Sequence, residues 1–192
     1  MANLHFITPQ LATGGDLPVD NEAALRELAE WVELGITHVI DNRGEAEDAD
    51  FLTDYAPQIS YLHNGVDDAG QLMPDQWFDD GLAFAEAALQ DPNAKVLVHC
   101  HMGINRGPSL AFAILLAQGW DPVEALAAIR SVRAIAGIIY SEDALAWHLR
   151  RTGVSGVAAA EAVQQLRRWH RDNHIDLIQI IATERERELQ AS

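Results

Sequence analysis

Lys95-Val-Leu-Val-His-Cys-His-Met-Gly-Ile-Asn-Arg-Gly-Pro-Ser109 is the stretch that decides how this chain of 192 residues is read. Its opening, Val96-Leu-Val-His99, is the short apolar run expected of a strand buried on both faces. A polar loop follows from Cys100, and Pro108, whose fixed φ suits a first helical turn, then opens an apolar helix. Strand, tight loop and helix start in that order place Cys100 at the carboxyl edge of a parallel sheet, where open α/β folds hold ligands. Gly103 offers backbone angles closed to other residues, so the loop can curl until its N–H groups converge. The helix dipole turns its positive end toward the same point, which makes the segment an anion cradle.

Five residues separate Cys100 from Arg106. That spacing lets the loop close with thiol and guanidinium on opposite sides of one phosphate-sized hole. Arginine holds two phosphate oxygens in a planar fork that lysine cannot reproduce. The converging amides are expected to bring the Cys100 thiol down from ~8.5 toward the ~3.5–7.5 of activated cysteines. A thiolate there can attack phosphorus and split a difficult hydrolysis into two steps through a phosphocysteine.

Working outward, short apolar runs alternate with helical patterns as far as residue 150. The fold class this predicts is α/β: a central, mostly parallel sheet of about four to five strands flanked by helices, with a helical C-terminal extension. Strands are expected at Leu4–Ile7, Leu11–Thr13, Thr37–Asn42, Ile59–His63 and Lys95–His99. Helices are expected at Asn21–Leu34, Glu45–Tyr55, Pro74–Gln90, Gly107–Gln118, Pro122–Val132, Ser141–Arg150, Val157–His170 and Ile175–Glu188. Gly153-Val-Ser-Gly156 reads as a hinge, dividing a catalytic unit at 1–150 from an extension at 151–192 that packs on it or serves association.

Thirteen basic against 29 acidic residues give a formal charge of −16. The tail from 151 carries six arginines and six acidic residues, so the whole excess lies before it. Nucleic acid and anionic membranes are thereby disfavoured as partners. Phosphate must be captured at contact range, which the screening length of roughly 8 Å at physiological salt permits. One cysteine, Cys100, excludes an internal disulfide. No run approaches the ~18 apolar residues of a membrane span, and no secretion signal is evident, so a cytoplasmic protein is expected.

Taken together, His99-Cys100-x5-Arg106 resembles the signature of the dual-specificity phosphatases within the cysteine-dependent protein tyrosine phosphatase superfamily. Ile7-Thr-Pro-Gln-Leu-Ala-Thr-Gly14 and Leu34-Gly-Ile-Thr-His-Val-Ile-Asp41 resemble that family's opening strands, and the likeness spans about residues 4–150. The resemblance implies a metal-independent phosphatase without a cofactor, in which Cys100 is the nucleophile and Arg106 binds the phosphoryl group. His101, Met102, Gly103, Ile104 and Asn105 would form the phosphate-binding loop, with the side chains of His101, Met102, Ile104 and Asn105 rimming its mouth. His99 would brace the loop through ring hydrogen bonds. The general acid would be Asp68, which lies 32 positions before Cys100 and fits the family better than Asp67 does.

The expected substrates are phosphotyrosine, with phosphoserine and phosphothreonine, on proteins or peptides; phosphate or sulfate should occupy the loop. RNA 5′-triphosphatase or small-phosphoester phosphatase is the alternative enzyme reading, and a phosphate-binding module with little turnover the alternative of another class. Gly107 departs from the family, which often has Ser or Thr after the arginine to help the thiolate leave. Ser109 is expected to face elsewhere, so slow breakdown of the intermediate is expected, or rescue by another donor such as Asn105. Arg43 is expected in a surface ion pair with Glu45 or Glu47. His170 and His174 have helical metal-ligand spacing but lack a third ligand.

Overall fold

A computed structural model describes residues 3–191 of the chain, with side chains described as far as 187. Five strands form one sheet: β1 (Leu4–Phe6), β2 (Leu11–Gly14), β3 (His38–Arg43), β4 (Ser60–Val66) and β5 (Val96–His99). Their spatial order is β1-β2-β5-β3-β4; only the β1–β2 pair is antiparallel. β5 is therefore central, and all four of its residues are buried.

Helices cover both faces. On one lie α1 (Asn21–Glu33) and α2 (Ala49–Tyr55), whose Leu28, Trp31 and Leu52 close a core over Val39 and Leu97. On the other, α3 (Asp75–Ala88), α4 (Arg106–Ala117), α5 (Pro122–Val132) and α6 (Ser141–Thr152) enclose a larger core around Phe78, Phe112 and Trp147. Every residue from Arg106 to Leu116 is buried, as expected of a helix apolar all round and wrapped by its neighbours. Caps sharpen the surface helices: Asp20 accepts from Ala23 N–H, and Asp121 from Val123 and Glu124 N–H.

The chain ends in α7 (Gly156–Asp172) and α8 (Leu177–Ala191). Leu166 of α7 is fully buried and joins the larger core, while Ile178 of α8 is 84% exposed. Observed elements fall close to the expected ones. The clearest difference is α2, which starts at Ala49 where the sequence predicts Glu45, because the 44–48 segment is held by side-chain pairs described below.

Candidate active site

The carboxyl ends of β2, β3, β4 and β5 converge where the parallel sheet delivers Cys100. From Cys100 the chain turns through six residues into α4, and the turn depends on Gly103 at φ +62. A Cβ at that position would lie 2.4 Å from both Gly14 O and Arg133 Nη2, so a side chain there is excluded by space as well as by backbone angle. The backbone N–H groups of Gly103, Asn105 and Gly107 lie near enough to the Cys100 sulfur to pull its thiol down. Behind the loop, buried Arg133 donates from Nε to Gly103 O (2.6 Å) and from Nη2 to Met102 O (2.8 Å). These bonds occupy the loop's carbonyls and leave its amides facing inward.

Arg106 Nη1 donates to Glu45 Oε2 (2.6 Å) and to Val66 O (2.9 Å), and Nη2 donates to Glu45 Oε1 (2.7 Å). Its Nε lies 3.5 Å from Asp68 Oδ2. Glu45 is held down to about 2, chiefly by the Arg106 hydrogen bonds. Asp68 Oδ1 accepts from Asn105 Nδ2 (2.7 Å) and from Tyr140 Oη (2.9 Å). Burial, and then the Asp68 bond, push the Tyr140 hydroxyl up to about 12, so near neutral pH it remains a donor.

The structure thus gathers Cys100, Arg106 and Asp68 around one cavity of about 360 Å³, lined also by Glu45, Met102, Ile139 and Arg185. Not every expectation about the loop survives. Asn105 and Ile104 line the cavity but are buried at 3% and 4% exposure, below its mouth; Asn105 bridges Asp68 to Ile139 N–H through its two amide atoms. His101 does sit near the surface, with Nδ1 2.7 Å from Asp16 Oδ2. His99 is fully buried, and neither ring nitrogen has a hydrogen-bond partner among the described residues; Nε2 lies 3.8 Å from Asp41 Oδ1. Its bracing bond runs through the backbone, where His99 O accepts from Asn42 Nδ2 at 2.9 Å.

Burial pushes the Cys100 thiol up, and the pull of the Gly107, Asn105 and Gly103 amides and of Arg106 only partly offsets it. The sequence predicts the opposite direction because it counts donors without counting depth. It also cannot show that Arg106 already faces two carboxylates, which share the charge that would otherwise favour a thiolate.

Arg43 is the largest correction outside the loop. It is buried, not on the surface, and its partners are Asp41 Oδ2 and Asp48 Oδ2, each 2.6 Å from Nη2, with Asp16 Oδ2 3.3 Å from Nη1. Asp41, Asp48 and His99 bring potential ligand atoms within 4.8 Å of one another. The guanidinium already occupies the space between the two carboxylates, so this cluster is balanced by an internal cation. His170 Nε2 lies 2.8 Å from Ser141 Oγ, and that contact accounts for it without His174.

Gly107 has a packing reason. A Cβ there would stand 3.0 Å from His99 C and Val98 O, because α4 begins pressed against the β5 backbone. Ser109 Oγ is buried and donates to Asn105 Oδ1 at 3.2 Å. Sequence reasoning missed Glu45, Tyr140 and Arg133. An arginine set between Val132 and the apolar run Ala134 to Ile139 was the one available signal for Arg133.

Ile138 carries a positive φ of 52, uncommon for a β-branched residue, where the 137–140 segment is fastened to the loop. Gly137 N–H donates to Ile104 O (2.7 Å) and Ile139 N–H to Asn105 Oδ1 (2.8 Å).

Comparisons with known proteins bear on the family and the fold. The human dual specificity protein phosphatase 13B is 30% identical over 115 residues, covering 58% of this chain; the chain in turn spans 58% of that relative's length. The crystal structure of PTPMT1 in complex with PI(5)P superposes with a TM-score of 0.62 at 20% identity, over 79% of this chain and 97% of that one. A mouse putative dual specificity phosphatase complexed with zinc tungstate gives 0.65 at 18% identity, over 80% and 92%. At such identities the two structures show the shared fold. The family described as dual specificity phosphatase, catalytic domain, matches residues 20–153, and the chain belongs to it.

Proposed function

We propose that the protein is a phosphoric monoester hydrolase acting on phosphotyrosine, and on phosphoserine and phosphothreonine, in proteins or peptides. The carrying observation is that Cys100, Arg106 and Asp68 open onto the same cavity, lined also by the loop residues His101, Met102, Ile104 and Asn105. In this reading the phosphoryl group sits in the loop 101–105, with its oxygens on the amides and on the Arg106 fork. The Cys100 thiolate attacks phosphorus, the P–O bond to the substrate breaks, and the leaving oxygen takes the proton of Asp68. Water then attacks the phosphocysteine, Asp68 takes up a proton from it, and the thiolate and phosphate separate. Residues 1–150 carry this chemistry, and the extension 151–192 packs on them.

For Arg106 to grip phosphate, its fork must turn from Glu45 toward the loop. The dianionic ligand and the Glu45 carboxylate compete for one guanidinium, and the ligand has the loop amides in addition.

The reading is tested with p-nitrophenyl phosphate and a phosphotyrosine peptide. Wild type should release many phosphates per Cys100, Cys100→Ser none, and Asp68→Asn about 10²–10⁴-fold fewer per second while still binding substrate. A second reading, a phosphate-binding module with little turnover, rests on Gly107, which lacks the hydroxyl that assists thiolate departure. Release that stops at one phosphate per thiol would favour it and overturn the first.

A further inference from the structure

The C-terminal helix returns to the mouth of the cavity. Leu177, Ile181 and Arg185 follow one another at four-residue spacing and so share one face of α8. At the start of that stripe, Leu177 approaches the 137–140 segment so closely that a Cβ on Gly137 would stand 2.8 Å from Leu177 Cδ2. Further along, Ile181 and Arg185 both line the cavity that holds Cys100, Asp68 and Arg106. The family match ends at residue 153, so this wall is supplied by sequence outside the shared domain.

The chemistry of the wall is mixed. Ile181, Ile139 and Met102 give it apolar area beside the phosphate position, enough to lie against the organic part of a phosphoester. Arg185 adds a cation. Both carboxylates of the cavity, Glu45 and Asp68, are turned to Arg106, and Arg185 makes no ion pair among the described residues. A guanidinium with no ion-pair partner among the described residues, at the rim of a phosphate pocket, is placed to meet a negative group brought in by a ligand.

We propose that Arg185 is a specificity-determining residue that holds a second anionic group of the substrate, beside the phosphate held by the loop, while Ile181 packs on the body between them. The substrate class is a phosphopeptide with an acidic side chain or a second phosphate close to the scissile one. The strongly negative protein surface disfavours an anionic membrane as the source of that group.

The proposal rests on the phosphatase reading, so binding and turnover are measured separately. Three phosphotyrosine peptides serve as probes: one with alanine neighbours, one with glutamate neighbours, and one with a neighbouring phosphothreonine. Affinity is measured by calorimetry on Cys100→Ser protein, and kcat/KM on protein with Cys100 intact. Cys100→Ser protein should bind the glutamate and doubly phosphorylated peptides roughly three- to tenfold more tightly than the alanine peptide, an advantage that shrinks as salt is raised. Adding Arg185→Gln should bring these ratios toward one, and Arg185→Glu should invert them.

The arm that responds more strongly identifies the source of the second anion, and a response in either supports the assignment. Ratios unchanged by Arg185→Gln, a ratio near one before the substitution, or a dependence on Arg185 seen only with anionic phospholipid vesicles would each overturn it. If Arg185-dependent binding persists while the intact protein turns over none of the peptides, recognition stands and the phosphatase reading fails.

Discussion

Two arginines stand at the same edge of the sheet, each ringed by carboxylates, and they do different work. Arg43 ends β3, and its partners Asp41, Asp48 and Asp16 are themselves 0%, 17% and 20% exposed. Arg106 starts α4, and its main partner Glu45 is 52% exposed and faces the cavity. Burial alone would push Asp41 up, yet the bonds from Arg43 and the nearby charges reverse this and hold it below the ordinary carboxylate range. A cation closed in by buried anions has no capacity left for a ligand. One held by an exposed carboxylate can exchange that partner for a phosphate.

The comparison breaks first at Arg43. Arg43→Met would strand buried carboxylates, and loss of one partner from such a network costs about 3–5 kcal/mol. Chemical denaturation should show that loss, with p-nitrophenyl phosphate turnover per folded molecule much less affected. The network also sets an acid limit. Because Asp41 is depressed, its contribution is complete above its ordinary value of 3.8 and is lost as pH falls below it. A denaturation series across that range should therefore flatten in Arg43→Met relative to wild type.

Arg106→Lys inverts the pattern. A lysine keeps the charge but loses the fork, and turnover should fall about 10²–10³-fold, as when a transition-state donor is removed, with little change in the denaturation midpoint. A large stability loss with modest kinetic change would assign Arg106 to the same structural class as Arg43. Next in size is Tyr140→Phe, which deletes the hydroxyl donor to Asp68 at 2.9 Å. One hydrogen bond to a charged group is worth about 1.5–3 kcal/mol, so kcat should drop about ten- to a hundredfold while KM stays near wild type.

These residues also mark what the sequence can carry. The Val96-to-Ser109 run is legible because strand, loop and helix are contiguous, and local rules set their order and the direction of the amides. Arg106 is legible for the same reason: the spacing from Cys100 closes a small ring. Glu45, Tyr140 and Arg133 reach the loop from positions 61, 34 and 27 residues away from Arg106, and only the packed fold brings them together. Glu45 was obscured further by an acidic segment that reads equally well as the first turn of a helix. Arg43 was misread because surface pairing is the ordinary fate of an arginine, and nothing local announces that β3 buries it. The contact of α8 with the cavity depends on how two tail helices fold back, which periodicity alone does not determine.

The finest discrimination comes from Glu45→Gln. The Glu45 carboxylate, held down to about 2, is ionised throughout the working range and shares the Arg106 charge. With that carboxylate neutralised, more of the guanidinium field reaches the Cys100 sulfur, which burial now holds above its ordinary value. Iodoacetamide modifies only the thiolate, so its rate against pH should trace the thiol. In Glu45→Gln the profile should move to lower pH, whereas Asp48→Asn, which alters the Arg43 cluster, should leave it nearly in place. Equal shifts in both variants would mean that the two clusters act on the sulfur as one electrostatic unit, and the distinction between a closed and an exchangeable arginine would fail at the atom where it matters most.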